Sequence, residues 1–328
     1  MPWDPREAEL LMARRTRIFF ATDVHGSSKC FRKFINGGNV YDADVLVLGG
    51  DLAGKALQTI VQGPDGRWHC SFIGTEHIVD DGPELDALEK LIADHGYYPY
   101  RAAVGEVEAL TAEGGLDALF VRLMTERLEG WLTLADERLR PAGRRLFFML
   151  GNDDPIELGA LLDSAPWGSN AEGRVLELDE HHEMISWGYS NVTPWHTHRE
   201  QTEDELAKAM EAMRSGLRDP SRAVINVHVP PFGIGLDEAP VLDDNLQVQA
   251  ALGQVKFGPV GSPAVRDFIV ELQPMLALHG HIHEATGIRR LGRTIAINPG
   301  SDYSTGALNG ALITLERDRV TAHQLVRG

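Results

Sequence analysis

The chain has 328 residues and a formal net charge of −17, from 48 acidic and 31 basic side chains. An acidic surface repels polyanions, so we expect a small-molecule substrate and regard long nucleic acid as a disfavoured partner. Hydrophobic residues make up 43% of the chain and charged residues 24%, as is typical of globular proteins. No apolar run approaches the ~20 residues of a membrane-spanning helix, so we expect no membrane partner.

The cysteines and the N-terminal segment bear on the cellular compartment of the protein. Cys30 and Cys70 are the two cysteines, too few for a disulfide framework or a cysteine zinc site, and we expect reduced, buried thiols. Residues 1–17 lack the continuous apolar stretch of a secretory signal, and their arginines follow the apolar residues instead of preceding them. We therefore expect a cytoplasmic protein.

Short apolar runs alternate with amphipathic helical stretches along the chain, which predicts an α/β fold built in layers. The first three buried strands are predicted at residues 18–21, 45–48 and 146–150, with a helix around 29–35. Asp154 is predicted to cap a helix that begins at Pro155, since proline suits a first helical turn.

One hundred residues separate Asp51 from Asn152, more than a simple strand–helix–strand crossover needs. We predict an insertion at 55–145, made of a hairpin plus helices, within a single domain spanning 1–328. The hairpin is predicted around Pro64-Asp65-Gly66, and apolar spacing predicts helices over 83–95 and 116–139. The insertion is interpreted as extra core, as a cap over a site or as a homo-oligomer contact.

The second half of the chain continues the same alternation. Strands are predicted at 175–178, 184–188, 223–227, 275–278, 294–297 and 311–315. A capping box at Thr202-x-x-Glu205 begins one helix, and Ser262-Pro263 begins another. Residues 230–261 form the longest loop-like stretch, rich in glycine and proline, which is predicted to line or cover a site.

Side chains that bind metals follow five of these strands, and strand ends are where α/β sheets place their ligands. They comprise two carboxylates, one amide and four imidazoles: Asp23, His25, Asp51, Asn152, His228, His281 and His283. This mixture of nitrogen and oxygen donors suits Mn²⁺, Fe²⁺ or Zn²⁺ better than Mg²⁺ or Ca²⁺. Seven ligands exceed one tetrahedral ion and suit two divalent metal ions sharing a bridging carboxylate.

These ordered motifs, which span residues 23–283, resemble the calcineurin-like metallophosphoesterase family. The resemblance implies a four-layer sandwich of two mixed β-sheets flanked by helices. It assigns one metal to Asp23, His25, Asp51 and His283, with Asp51 bridging to a second metal held by Asn152, His228 and His281. It further implies a hydrolase of a small phosphomonoester or phosphodiester, with a metal-bridging hydroxide as nucleophile. The alternative is a non-catalytic metal-binding scaffold of the same fold.

The chain departs from the family pattern directly after Asn152. Many members have a histidine there, with a role at the transition state or leaving oxygen, whereas this chain has Asp153. The run Gly-Asn-Asp-Asp resembles a bacterial branch of predicted phosphoesterases. A carboxylate beside two dications stays ionised and is a poor acid. One hypothesis is that His196 or His198 takes the catalytic role; the other interpretation is that both are solvated loop residues.

Four further features carry weaker signals. Lys55 is interpreted as a phosphate contact or as a solvent-exposed lysine. The segment 298–301, Asn-Pro-Gly-Ser, resembles a recurring family segment and is also a typical tight turn. We expect His279 to be structural, and His181-His182, in an acidic stretch, to form a solvated turn.

Overall fold

The computed structural model describes residues 15–165, 167–243, 245–251 and 253–328. Residues 1–14, on which the expected cytoplasmic location largely depends, lie outside this described part. Among the described residues, no helix combines the length and apolar character of a membrane span. The helices are α1 (Ser28–Val40), α2 (Pro83–Asp94), α3 (Glu106–Ala112), α4 (Leu116–Leu139), α5 (Leu158–Asp163), α6 (Glu203–Arg214) and α7 (Pro263–Leu272), with 3-10 turns at Pro220–Arg222 and Tyr303–Thr305.

The strands are numbered here in chain order. They are β1 (Thr16–Ala21), β2 (Val45–Gly49), β3 (Leu57–Gln62), β4 (Trp68–Phe72), β5 (Thr75–Val79), β6 (Tyr98–Ala102), β7 (Arg145–Met149), β8 (Ser169–Asn170), β9 (Val175–Glu177), β10 (Glu183–Trp187), β11 (Ser190–Asn191), β12 (Glu200–Gln201), β13 (Val224–Val227), β14 (Glu238–Pro240), β15 (Ala250–Ala251), β16 (Gln254–Val255), β17 (Phe257–Pro259), β18 (Leu276–Leu278), β19 (Gly287–Leu291), β20 (Thr294–Asn298), β21 (Asn309–Glu316) and β22 (Arg319–Arg327).

Two six-stranded mixed sheets form the centre of the protein. The first, sheet A, has the order β22-β21-β1-β2-β7-β8, and the second, sheet B, has the order β19-β20-β18-β13-β10-β9. In sheet A, β1, β2 and β7 are parallel, while β21 is antiparallel to β1. In sheet B, β10, β13, β18 and β20 are parallel, and β19 is antiparallel to β20. The parallel strands therefore bring their carboxyl ends to one edge of each sheet.

Alternation along the strands builds the layers, because successive side chains in a strand point to opposite faces. In β1, Ile18 and Phe20 pack between the two sheets with residues of sheet B such as Leu276. Phe19 and Ala21 point the other way, into a cluster with α1 and α4. The outer face of sheet B packs in the same way on α6 and α7. Helix, sheet, sheet and helix make the four-layer sandwich that the resemblance implies.

Helix starts follow the predicted capping in two cases. Thr202 and Glu205 form the predicted capping box of α6, and Ser262 accepts a hydrogen bond from the Val265 N–H at the start of α7. The prediction for Asp154 is wrong: α5 begins only at Leu158, with Glu157 as its N-cap. Asp154 is fully buried, and its carboxylate accepts hydrogen bonds from backbone N–H groups in two loops instead.

The segment 55–145 holds a four-stranded sheet in the order β5-β4-β3-β6, together with α2, α3 and α4. The predicted hairpin turn lies between the antiparallel strands β3 and β4. The ring of Trp131, in α4, stacks on Phe31 of α1 with centroids 4.2 Å apart. This contact packs the segment on the main core. The stretch 230–261, predicted as a loop, forms small two-stranded sheets from β14 and β17 and from β15 and β16; residues 244 and 252 within it lie outside the described part.

Candidate metal centre

The seven predicted ligands come from loops after β1, β2, β7, β13 and β18, and these loops meet at one place. Ligand atoms of Asp23, His25 and His283 lie within 4.8 Å of one another, and so do those of Asp23, Asp51 and His228. The two remaining residues face each other, with Asn152 Oδ1 2.7 Å from His281 Nδ1. The structure thus brings together all seven side chains, from both central sheets.

Asp51 lies between the two halves of this cluster. Its Oδ2 atom is 3.5 Å from His25 Nε2 on one side and 3.3 Å from His228 Nε2 on the other. On the first side, His25 Nε2 is also 3.0 Å from His283 Nε2. The Asp51 carboxylate therefore lies close enough to ligands on both sides to be shared by the two sets.

Four of the seven residues have a backbone conformation that is uncommon for anything but glycine. The φ angles are 52° at Asp23, 38° at His25, 50° at Asp51 and 67° at His281. Non-glycine residues in the left-handed region are strained, and such strain concentrates at functional sites. The chain turns sharply as these strands end, so that side chains from different strands point into one pocket.

Glycine precedes three of the ligands, and before two of them a larger residue would collide with a carboxylate of the cluster. A Cβ built on Gly151, just before Asn152, would lie 2.1 Å from Asp51 Oδ1. A Cβ on Gly280, just before His281, would lie 2.3 Å from Asp23 Oδ2. Both distances are far inside van der Waals contact, so the close approach of these loops to the carboxylates requires glycine.

Burial and charge act in opposite directions on the two carboxylates. Burial alone would raise the pKa of the Asp51 carboxyl, but the imidazoles of His228 and His25 hold it well below its usual range. The same holds for Asp23, whose pKa burial would raise and His228 and His283 lower. Burial would lower the pKa of His228, yet Asp51 and Asp23 raise it to about 10. The cluster therefore has a field that favours positive charge between its carboxylates.

His228 shows most directly that a cation fits this field. Its Nδ1 lies 2.9 Å from the Gly49 carbonyl oxygen, which can only accept, so Nδ1 carries a proton and donates it. Because its pKa is about 10, the His228 ring of the metal-free site also carries a proton on Nε2, and this proton is the positive charge that the Asp51 and Asp23 carboxylates hold. The buried Nε2 atom has no hydrogen-bond partner. A divalent metal ion would displace this proton and take its place between the ring and the carboxylates, and metal-binding histidines commonly donate their other N–H to a carbonyl.

Two buried polar residues, whose role at the cluster the sequence analysis did not predict, fix the loop of Asn152. The Asp154 carboxylate accepts hydrogen bonds from the backbone N–H groups of Leu52, Ala53 and Gly151 at 3.0, 2.7 and 2.7 Å. Arg199, fully buried, donates to the Gly151 carbonyl at 2.9 Å and forms an ion pair with Glu172. Such contacts around a ligand loop orient the ligands.

The segment 298–301 holds the loops of Asp23 and His281. The Asn298 amide donates to the carbonyls of Gly280 and Ile282, on either side of His281, at 3.2 and 2.9 Å. The Ser301 hydroxyl donates to the Asp23 carbonyl at 2.6 Å. The segment therefore fixes two ligand loops, which goes beyond the tight turn that was one of its two interpretations.

Asp153 and Lys55 form an ion pair at the mouth of the cluster. Ligand atoms of Asp153, His25 and Asp51 also lie within 4.8 Å of one another. Burial and the charge of Asp51 raise the pKa of Asp153, and Lys55 opposes them. Lys55 is exposed, as one of its two interpretations has it, but it is paired with Asp153; a contact with phosphate stays a prediction.

The other predicted histidines lie in different environments. His196 and His198 are both exposed, and the Asn152 amide donates to the hydroxyl of Thr197, between them, at 2.9 Å. Their loop therefore touches a predicted ligand, while a catalytic role stays a prediction. His279 is buried and contacts the Val227 carbonyl at 2.8 Å, as expected of a structural residue.

The prediction of a solvated turn at His181-His182 is wrong for His182. This residue is buried, and its Nδ1 lies 2.7 Å from Asp179 Oδ2. Its Nε2 lies 3.2 Å from the Glu316 carbonyl in β21. The acidic neighbours suggested solvent, whereas the packing of sheet B on sheet A covers the ring.

Tyr303 is an aromatic neighbour of the cluster that no motif singles out. Its ring centroid lies 4.7 Å from that of His25 and 5.9 Å from that of His283. Burial raises the pKa of its phenol, so Tyr303 places an uncharged aromatic ring beside the cluster. Nothing in its local sequence indicates this position, because Tyr303 follows the last predicted ligand by twenty residues.

Comparison with known sequences finds a relative that matches part of this chain. No family model matches the chain. The uncharacterized protein MJ1162 of Methanocaldococcus jannaschii is 28% identical over 151 residues, which is 45% of this chain and 61% of that protein. The chain thus spans less than two thirds of the length of this curated relative.

Comparison with solved structures addresses the fold. A dimetal phosphatase from Danio rerio is 10% identical, with a TM-score of 0.41 over 95% of this chain and 98% of that one. The protein TT1561 of Thermus thermophilus is 14% identical, with a TM-score of 0.53 over 96% of this chain and 99% of that one. The chain shares its fold with TT1561, and its four-layer sandwich of two mixed sheets agrees with the calcineurin-like metallophosphoesterase fold that the sequence resemblance implies. At 14% identity the likeness to TT1561 concerns the fold alone, and the Gly-Asn-Asp-Asp branch stays a prediction.

Proposed function

We propose that the protein is a metal-dependent hydrolase of small phosphoesters. The observation that carries the proposal is the placement of His228, whose buried Nε2 faces the Asp51 and Asp23 carboxylates without a hydrogen-bond partner. The convergence of the other predicted ligands and the strained backbone at four of them support it. An arrangement this costly in desolvation and strain is expected where function requires it.

We assign Asp23, His25 and His283 to one divalent cation, Asn152, His228 and His281 to a second, and Asp51 to both. The carboxylate, amide and imidazole donors suit Mn²⁺, Fe²⁺ or Zn²⁺. Two such cations, when bound, would supply the positive charge that activates water and neutralises phosphate oxygens.

The chain's own residues then keep the ligands oriented. The Asn152 amide nitrogen donates to Asp153 Oδ1 at 3.1 Å and to Thr197 Oγ1 at 2.9 Å. Both amide protons are thus engaged, and the carbonyl oxygen of Asn152 is left to face His281. The Gly49 carbonyl fixes His228 in the same way. Ligands held like this need little rearrangement, which is how a site reaches high charge density at a fixed position.

The charge of the protein supports a small substrate over an extended one. With a net charge of −17, most of the surface repels a long polyanion, whereas a small phosphoester needs only the local positive field of the loaded site. A nuclease of long DNA or RNA would require a basic track beside the site.

Metal content and turnover test the proposal together. We expect about two equivalents of Mn²⁺ per chain by elemental analysis, and hydrolysis of an aryl phosphomonoester, an aryl phosphodiester or both. His228→Gln should lose at least one equivalent and most of the activity. His182→Gln is the matched control, because His182 is equally buried and also paired with a carboxylate, but lies outside the cluster.

Three results would separate this proposal from its alternative. Bound metal without turnover on a broad panel of phosphoesters would favour the non-catalytic metal-binding scaffold. Wild-type protein that binds no metal would contradict both. Equal metal loss in His228→Gln and His182→Gln would show that the loss comes from general unfolding, and would remove the support that His228 gives.

A further inference from the structure

Lys55 brings a positive charge to the mouth of the cluster. It lies four residues after Asp51, and its ammonium pairs with Oδ2 of Asp153. The side chain of Lys55 is 49% exposed and that of Asp153 only 15%, so the pair has one face toward the cluster and one toward solvent. Since the Asp153 carboxylate lies within 4.8 Å of ligand atoms of His25 and Asp51, the ammonium is held beside the reacting centre.

Asp153 is itself fixed on three sides. Its backbone N–H donates to Asp51 Oδ1 at 3.0 Å, its Oδ1 accepts from the Asn152 amide at 3.1 Å, and its Oδ2 accepts from Lys55. Its backbone is therefore tied to Asp51 and its carboxylate to Asn152, which leaves the residue little freedom to move. A lysine paired with it is placed relative to the cluster, although the lysine stem itself is flexible.

The ammonium of Lys55 has donors to spare. A lysine carries three N–H donors, and the pair with Asp153 uses one of them. The half-exposed ammonium can therefore donate to an incoming anion without breaking the pair. Hydrogen bonds between an ammonium and a phosphate oxygen are charge-assisted and stronger than neutral ones.

We propose that Asp153 positions Lys55 to bind a terminal phosphoryl oxygen, and that this third positive charge makes the enzyme prefer phosphomonoesters to phosphodiesters. The inference rests on the proposed function. A monoester carries a charge of about −1.5 to −2 at pH 7, whereas a diester carries one negative charge and has an ester group in place of one terminal oxygen. The additional charge and oxygen of the monoester are what the ammonium recognises. Asp153 is then a positioning residue and not an acid.

Binding of inorganic phosphate to the Mn²⁺-loaded protein tests this without turnover. By titration calorimetry, Lys55→Met should weaken phosphate binding about 10- to 100-fold and leave dimethyl phosphate binding within about twofold. Lys55→Arg should retain most phosphate binding, because it keeps the charge. Lys90→Met is the matched control: Lys90 pairs with Asp94 at 2.5 Å in the same segment, away from the cluster, so both affinities should stay unchanged.

Kinetics and metal content complete the test. In Lys55→Met, the ratio of kcat/KM for an aryl phosphomonoester to kcat/KM for an aryl phosphodiester should fall about 10- to 100-fold. In Asp153→Asn the same ratio should also fall, and both metals should be retained. Equal effects on the two substrates, or none, would overturn the inference. Loss of a metal in Asp153→Asn would make Asp153 a ligand and overturn its positioning role. Wild-type turnover of diesters alone would refute the inference and leave the proposed function standing, whereas absence of metal and turnover would refute the proposed function.

Discussion

The Oδ2 atom of Asp154 accepts a hydrogen bond from the backbone N–H of Leu52 at 3.0 Å, across 102 residues of chain. The same oxygen accepts from Gly151, and Oδ1 accepts from Ala53. One fully buried carboxylate therefore joins the loop that carries Asp51 to the loop that carries Asn152. The mutual position of two predicted ligands depends on it.

Asp154→Asn should destabilise the protein and weaken metal binding. An amide offers one accepting oxygen, so its NH₂ group would face backbone N–H donors that have lost their partner. We expect a loss of about 2–4 kcal/mol in the free energy of unfolding, measured by urea denaturation of metal-free protein. Asp267→Asn, on the exposed face of α7, should change it by less than about 0.5 kcal/mol. Similar values for both variants would contradict the joining role of Asp154.

Gly151→Ala should disturb the cluster through sterics alone. The new Cβ would lie 2.1 Å from Asp51 Oδ1, so one of the two loops must shift. We expect about 3 kcal/mol of destabilisation and Mn²⁺ binding weakened about 10- to 100-fold, measured by calorimetric titration. In the control Gly159→Ala the nearest atom is 3.9 Å away, so Mn²⁺ affinity should not change. An unchanged affinity in Gly151→Ala would show that the loops tolerate movement.

Asp179 should give the protein an acid-sensitive contribution to stability. Burial would raise the pKa of this carboxyl, but hydrogen bonds from His182 and Thr16 hold it well below its usual range. Its contribution is therefore complete above the unfolded pKa of about 3.9 and is lost as pH falls toward the lower folded value. The free energy of unfolding of Asp179→Asn should be lower at pH 7 and should fall less than that of the wild type between pH 5 and pH 3. Parallel pH profiles would contradict this.

The hypothesis that His196 or His198 protonates the leaving oxygen predicts a dependence on the leaving group. An alkyl leaving group needs a proton far more than an aryl one, and a general acid contributes about 10²-fold or more. Alanine at the acting residue should therefore slow an alkyl phosphoester about 100-fold and an aryl phosphoester less than about twofold. Equal effects on the two substrates in steady-state assays would reject the hypothesis and leave both as solvated loop histidines.

The core strands and the ligand types could be predicted because their signals are local. The run 45–48, for example, is apolar throughout and corresponds to β2 (Val45–Gly49). Strand β22 (Arg319–Arg327) was not predicted, because it is a mostly exposed edge strand whose pairing with β21 compensates for weak hydrophobic alternation. The sheet within residues 55–145 was missed except for its hairpin turn, since β3 and β6 pair in parallel across 35 intervening residues.

The roles of several buried polar residues could not be predicted, because their partners are remote in sequence. Arg199 donates to a carbonyl 48 residues away, and His182 contacts one 134 residues away. Asp154 was predicted as a helix cap, since an aspartate before a proline is a common helix start. Only the folded arrangement shows that unpaired N–H groups of another loop surround its carboxylate.

Anomalous X-ray diffraction from crystals soaked in Mn²⁺ tests the central assignment, a carboxylate of Asp51 shared by two cations. We expect two anomalous peaks about 3.5–4 Å apart, with Asp51 in contact with both, His25 and His283 beside one, and His228 and His281 beside the other. A single peak, or two peaks of which only one touches Asp51, would contradict the assignment.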